Sequence, residues 1–312
     1  MRAALIKALP AVLRENADGL GEKVAFSDDR RSVTYRDLET RTRRLAGHLV
    51  GLGVQRGDRV MICLRNSVDM VESYLAIVRA GAVGVPVNPA STHAELSYLL
   101  ADSGAVLVIT DPVHAPDFRH APQVLVTGDT PASSYDALAA TEPAHAAPDD
   151  LDLDDVAWMF YTSGTTGKPK GVLSSQRNCL YSVAASYVPI PGLSAADRVL
   201  WPLPLFHSLS HIACVLSVTV VGATARIMDT PSAEEVLTAV RETRATFLAG
   251  VPTTYHHLVQ ARQQNPSLFR TCGSGSSGER SPAPSCAARS ARASGSRSST
   301  PTAAPRPAAR SR

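Results

Sequence analysis

From Val33 to Gln264 short apolar runs alternate with stretches of helical spacing, and this alternation constrains the fold more than any other feature of the 312 residues. Arg59–Leu64, Val83–Val87, Ala105–Thr110, Gln123–Val126, Val156–Tyr161, Ala223–Met228 and Ala245–Ala249 read as strands, with a further short strand at Val33–Tyr35. Between them lie helical stretches with recognisable ends. Ser67 can cap a helix that stops at Gly81, and Thr92 with Glu95, and Ser232 with Glu235, have the spacing of capping boxes. The helix of Arg36–Val50 ends at Gly51 and Gly53, where a C-cap favours a residue free to take positive φ. Pro252 suits the first position of a helix running to Gln264. Strands alternating with helices predict an α/β sheet with helices packed on it.

Thr127–Asp155 is rich in Ala, Pro, Asp and Ser and has little periodicity. It reads as a partly ordered connection, which divides residues 1–270 into lobes of about 1–126 and 156–270. At Thr271 the chain changes character. Residues 271–312 contain no Leu, Ile, Val, Phe, Met, Tyr, Trp or Lys, and hold seven Arg against one Glu. Such a segment buries too little apolar surface to offset its ordering entropy and is expected to be disordered.

The overall charge of +3 is therefore a sum of unlike parts, because the first 270 residues hold 24 basic and 27 acidic side chains. A mildly acidic body argues against nucleic acid as a partner. The five cysteines form no CxxC pair, which points to reduced thiols and a cytoplasmic protein. The N-terminal residues lack the apolar core of a signal peptide, and no apolar run reaches the roughly 18 residues of a membrane span.

The strongest chemical signal is Tyr161–Gly171, reading YTSGTTGKPKG. Gly164, Gly167 and Gly171 let backbone N–H groups approach an anion closely. Thr162, Ser163, Thr165 and Thr166 add hydroxyls, and Lys168 and Lys170 add positive charge. The composition is that of a phosphate-binding loop, yet the glycine spacing and Pro169 exclude a Walker A loop.

This string resembles the nucleotide-binding loop of the adenylate-forming superfamily, whose members include acyl-CoA synthetases, luciferases and nonribosomal-peptide adenylation domains. Val33–Leu38 (VTYRDL), Leu75–Pro89 (LAIVRAGAVGVPVNP), Pro202–Ser208 (PLPLFHS) and Gly250–Thr253 (GVPT) are similar to other segments of that family, in the same order. The resemblance covers roughly residues 20–272. It implies a two-lobed α/β adenylate-forming N-terminal domain and activation of a carboxylic acid, such as a fatty acid, by ATP and Mg²⁺. The acyl-AMP would then pass its acyl group to CoA, or to the phosphopantetheine of a carrier protein as in the loading region of a polyketide synthase.

By the same resemblance, Thr162 would touch the metal and its phosphates, and Thr165, Thr166 and Lys170 the β- and γ-phosphates. Ser163, Gly164, Gly167 and Lys168 complete the nucleotide loop, which in the family closes over ATP. His207 would stand between carboxylate and phosphates, so His207 and Lys170 are the expected catalytic residues. Ser210 stands where the family often has glycine. His211, four residues beyond His207, suggests no metal site in the absence of an acidic third ligand. Arg41, Arg43 and Arg44 read as a solvated helix face, and His256 with His257 as a solvated or partly buried one.

The resemblance also implies further segments after Thr253: a "SGGA" turn, a "YG-x-TE" segment and a later domain bearing a catalytic lysine. Cys272–Gly275 begins like the first and then gives way to the Ala/Arg/Ser/Pro composition. Residues 271–312 are expected to be an out-of-frame reading of a GC-rich gene, the alternative being a genuine basic extension. The chain as given is expected to be inactive, or a nucleotide-binding remnant.

Overall fold

The computed structural model describes residues 2–128, 134–162 and 168–264. Its strands are β1 (Val24–Ser27), β2 (Ser32–Thr34), β3 (Arg59–Cys63), β4 (Val83–Pro86), β5 (Leu107–Thr110), β6 (Val124–Val126), β7 (Val156–Thr162), β8 (Lys170–Ser175), β9 (Arg198–Trp201), β10 (Thr224–Ile227) and β11 (Phe247–Leu248). The helices are α1 (Leu9–Leu20), α2 (Tyr35–Gly51), α3 (Val68–Arg79), α4 (His93–Ser103), α5 (Ser134–Ala140), α6 (Gln176–Ser182), α7 (Ser208–Ser210), α8 (Ser217–Val221), α9 (Ala233–Glu242) and α10 (Pro252–Gln264). Two π-helical stretches, Val183–Tyr187 and His211–Leu216, extend α6 and join α7 to α8. No helix among the described residues is long and apolar enough to cross a membrane.

The strands form two sheets, ordered β11-β9-β10-β1-β2 and β6-β5-β3-β4-β7-β8. Each is parallel except for one antiparallel edge strand, β2 in the first and β8 in the second. Parallel strands need cover on both faces, and β3 shows how it is supplied. Val60 and Ile62 point into a core shared with Ala25, Val199, Trp201 and Ala225 of the other sheet. Met61 and Cys63 point the opposite way, against Leu96 and Leu99 of α4 and against Phe118. α3 belongs to the shared core and is buried over its whole length, as a helix enclosed on all sides must be. A third cluster places Val236 and Leu237 of α9 and Leu258 of α10 on the far side of the first sheet, against Leu200 and Met228.

The helix starts follow the sequence signals. Both expected capping boxes form, at Thr92–Glu95 and Ser232–Glu235, and the Ser67 hydroxyl accepts from Met70 N–H. A third box, Thr34–Asp37, starts α2 one residue before the expected position. Gly222 ends α8 at φ +72°, and a Cβ there would lie 2.5 Å from Leu20 Cδ1. Gly222→Ala is expected to cost at least about 1–2 kcal/mol from the left-handed backbone alone, measurable as a lower midpoint in urea unfolding.

Three features differ from the sequence reading. The sheets do not follow the division at 127–155, because β1 and β2 pair into the sheet of β9–β11 while β7 and β8 complete the sheet of β3–β6. Hydrophobic patterning marks the other strands but not β1, β8 or β9, and it carries no information on a strand's partner. The described part of 127–155 is packed rather than loosely connecting: Tyr135 and Ala139 of α5 are fully buried, and Tyr135 OH donates to Asp69 O at 3.0 Å. Arg41, Arg43 and Arg44 are not a solvated face. Arg41 donates to Glu72 and Asp136, and Arg43 and Arg44 both bind Glu142, on the segment after α5. The expected disordered tail, 271–312, lies outside the described residues.

Candidate nucleotide-binding site

β7 and β8 form a hairpin whose last pair is Thr162 with Lys170, after Tyr161 with Gly171. β7 runs parallel to β4, so the hairpin mouth opens at the carboxyl edge of the parallel strands, the edge where open α/β sheets bind ligands. Ser163, Gly164, Thr165, Thr166 and Gly167 lie outside the described residues, but their two stems are defined. Thr162, Lys168 and Lys170 are exposed at this mouth. Thr162 Oγ1 lies 3.5 Å from Lys170 O, a long hydrogen bond. Lys168 Nζ stands 5.7 Å from the centroid of the Tyr98 ring. Among the described residues no carboxylate pairs with either lysine, so both charges are available to an anion. A Cβ at Gly171 would fall 1.9 Å from Met159 Cε, so a larger residue there would have to displace the end of the Met159 side chain.

The other expected element, His207, caps α7 at the carboxyl edge of the first sheet. It is exposed, makes no capping hydrogen bond and packs its ring on Phe206 at 4.2 Å. Partial burial lowers its pKa from the ordinary value, favouring the neutral imidazole. The segment leading to it is held by a residue the sequence reading passed over. Asn66, just after β3 of the second sheet, donates to Leu203 O at 2.8 Å and Met228 O at 2.9 Å. It also accepts from Leu205 N–H at 2.7 Å. Tyr74 OH adds a bond to Leu205 O at 3.0 Å. One asparagine thus ties the carboxyl edges of both sheets together and fixes the approach to His207. The only sequence signal was an amide directly after an apolar strand.

The Pro202–Ser208 and Gly250–Thr253 segments also meet, since Pro202 lines one cleft with Thr253 and Thr254. His256 and His257 are exposed.

His211, one turn beyond His207, is fully buried against Tyr74, Trp158 and Phe160. Neither of its ring nitrogens has a hydrogen-bond partner among the described residues, nor does Trp158 Nε1. Burial drives its pKa down to about 3. The unfolded chain therefore takes up this proton first as the pH falls. The contribution to stability is complete above pH 6.5 and is lost progressively towards pH 3. At pH 5 the loss is about 2 kcal/mol. His211→Leu is expected to remove this slope and to unfold at higher urea than the parent at pH 5. Parallel pH slopes in the two proteins would contradict the buried, neutral imidazole.

The double sheet, the hairpin stems and the place of His207 agree with a protein of the adenylate-forming class. The chain belongs to the AMP-binding enzyme family, which matches residues 13–296 and so runs past the compositional change at 271. It is 41% identical over 281 residues to chalcone synthase cfoA of Aspergillus candidus, covering 82% of this chain and 10% of that protein. It is 34% identical over 266 residues to the 3-hydroxybenzoate–CoA/4-hydroxybenzoate–CoA ligase of Thauera aromatica, covering 79% of this chain and 49% of the ligase. Among solved structures it is similar to ATP-bound MatB from Rhodopseudomonas palustris, with a TM-score of 0.74 and 29% identity over 86% of this chain and 53% of that one. The chain thus spans about half the length of such ligases and a tenth of the chalcone synthase. The mixed α/β fold is that of the N-terminal domains of adenylate-forming enzymes.

Family membership brings ATP, and with it a metal, to the question of fit. Among the described residues no group of three His, Cys, Asp or Glu could hold a metal ion. Thr162 offers one exposed hydroxyl. That donor set fits Mg²⁺, which keeps several waters and is bound largely through the phosphates it accompanies.

Proposed function

We propose that this chain carries the phosphate-binding half of an enzyme that activates an aromatic carboxylic acid as its acyl adenylate. The observation that carries the reading is the hairpin mouth, where Thr162, Lys168 and Lys170 stand exposed and, among the described residues, without acidic partners. A carboxylate oxygen attacks the α-phosphorus of ATP, the bond to the leaving oxygen breaks, and pyrophosphate departs. The obstacle is the approach of one anion to a polyanion, and preformed positive charge at the phosphates lowers it. Lys170 and Lys168 supply that charge. Thr162 touches the metal–phosphate group, and Ser163, Gly164, Thr165, Thr166 and Gly167 line the phosphates. Bound Mg²⁺ would neutralise further phosphate charge. His207, neutral, offers an N–H donor to the carboxylate without adding a cation.

The acyl group then goes to a thiol: sulfur attacks the carbonyl carbon and AMP leaves. CoA is the acceptor that the hydroxybenzoate ligase likeness favours. The likeness to a stretch occupying one tenth of the much longer chalcone synthase favours a second acceptor, a carrier-protein phosphopantetheine thiol. The likeness to the hydroxybenzoate ligase supports an aromatic acid rather than a fatty acid.

Calorimetric titration of the chain with MgATP, and with sulfamoyl-adenosine mimics of 4-hydroxybenzoyl-AMP and octanoyl-AMP, tests the proposal. Binding of MgATP, and tighter binding of the aromatic mimic than of the aliphatic one, is expected. Preference for the octanoyl mimic would return the acid to the fatty class, and failure to bind MgATP would remove the reading altogether. Acid-dependent ATP–pyrophosphate exchange separates an active ligase from a nucleotide-binding remnant.

A further inference from the structure

We propose that Tyr98 and Asp102, on α4, are positioning residues that hold both stems of the phosphate loop. The inference deepens the nucleotide-loop reading above and rests on it. α4 contributes no residue to the loop and packs on the second sheet through Leu96 and Leu99. Tyr98 and Asp102 are four residues apart and so share one face of the helix.

Asp102 takes the outgoing stem. Tyr161 OH donates to Asp102 Oδ2 at 2.7 Å. Burial first, and then the Asp102 carboxylate, push the Tyr161 phenol up from its usual range, so it remains a donor. Tyr98 takes the returning stem. Its hydroxyl lies 3.2 Å from Pro169 O and 3.4 Å from Asp102 Oδ1. A phenol has one proton, and both the Pro169 carbonyl and the Asp102 carboxylate are within its reach. The face of the same ring lies under Lys168 Nζ. One helical face therefore grips Tyr161 before the loop and Lys168 and Pro169 after it.

The hairpin needs this outside support. Among the described residues β8 is an edge strand with β7 as its only neighbour, and its last cross-strand side-chain bond, Thr162 Oγ1 to Lys170 O, is long at 3.5 Å. Exposed hydrogen bonds and a single cation–π contact add little to global stability. Their effect falls on the geometry of the mouth, where a displacement of about 1 Å is costly to phosphate placement.

Two readouts on the full chain test this. The first is the rate of tryptic cleavage at Lys170–Gly171 under native conditions. The second is MgATP affinity by calorimetry. Asp102→Ala and Tyr98→Leu are each expected to raise cleavage and weaken MgATP binding by about tenfold, with little change in the thermal midpoint. Tyr98→Phe keeps the ring under Lys168 and is expected to recover part of the affinity. In a Lys168→Met background, Tyr98→Leu should lose most of its remaining effect on affinity. An equal loss in both backgrounds would show a merely structural role for Tyr98 and overturn its positioning of Lys168. Unchanged cleavage in both single variants would overturn the anchoring. A parent chain that fails to bind MgATP would overturn the nucleotide reading, while the cleavage rates would still decide whether α4 holds the stems.

Discussion

Glu72→Ala is expected to lower the unfolding free energy by about 3–5 kcal/mol, the cost of leaving buried charges without their partner. The Glu72 side chain has no exposure and accepts from two guanidinium groups. Arg31 reaches both of its oxygens, at 3.1 and 2.8 Å, and Arg41 does the same at 2.7 and 3.1 Å. Asp69, one turn earlier on α3, takes Arg30 and Arg31 as well. The cluster joins the β1–β2 turn, α2, α3 and, through Asp136, α5. Urea unfolding followed by circular dichroism reads the effect. Glu72→Gln keeps one acceptor for these donors and should fall between parent and alanine variant. A change below about 1 kcal/mol in Glu72→Ala would mean that water reaches both arginines.

Lys170→Ala should leave stability within about 0.5 kcal/mol of the parent, because the side chain is exposed at the start of an edge strand. Its effect belongs to the phosphates. Removing one preformed charge from a developing transition state costs on the order of 2–4 kcal/mol, read as a loss of acid-dependent pyrophosphate exchange in the family-length enzyme. Stability retained with exchange lost would place Lys170 in the chemistry. Exchange retained would remove it from the site. Glu72 and Lys170 thus form a contrasting pair, one charge held inside by partners and one held outside with none among the described residues.

The sequence showed best those features that are local. Thr92–Glu95 and Ser232–Glu235 each place a hydroxyl and a carboxylate three residues apart, and this spacing alone is enough to start a helix. The loop string was equally plain, because three glycines, four hydroxyls and two lysines in eleven residues leave few other uses. Features that depend on distant partners were not legible. α1 has no capping side chain and carries Gly19 near its end. Its start is secured by a distant residue, Gln176 Oε1, which accepts from Leu9 N–H at 3.0 Å. β8 overlaps the lysine-and-glycine end of the loop motif and is a strand because β7 lies beside it. Arg41 looked solvated because its acceptors, Glu72 and Asp136, are far along the chain. Asn66 carries no pattern of its own; its importance appears only when Leu203, Leu205 and Met228 are brought to it. His211 has helical spacing from His207, but nothing in that spacing shows it enclosed by three aromatic rings.

The exchange of strands between the two sheets has a consequence for how the chain is made. β1 leaves the ribosome early, yet Val24 O accepts from the hydroxyl of Thr224, 200 residues later, and Phe26 pairs with Ala225. At roughly 5–20 residues per second, the wait is on the order of 10–40 s. Throughout it Ala25 and Phe26, fully buried in the finished protein, have no parallel neighbour to cover them. The second sheet must likewise wait for β7 to reach β4. Neither sheet can close on the residues before 127 alone, so a ribosome stalled there presents two unfinished sheets rather than one finished domain. Chaperone capture of such a nascent chain, and its release once β10 has emerged, is the form in which this topology would be felt during synthesis.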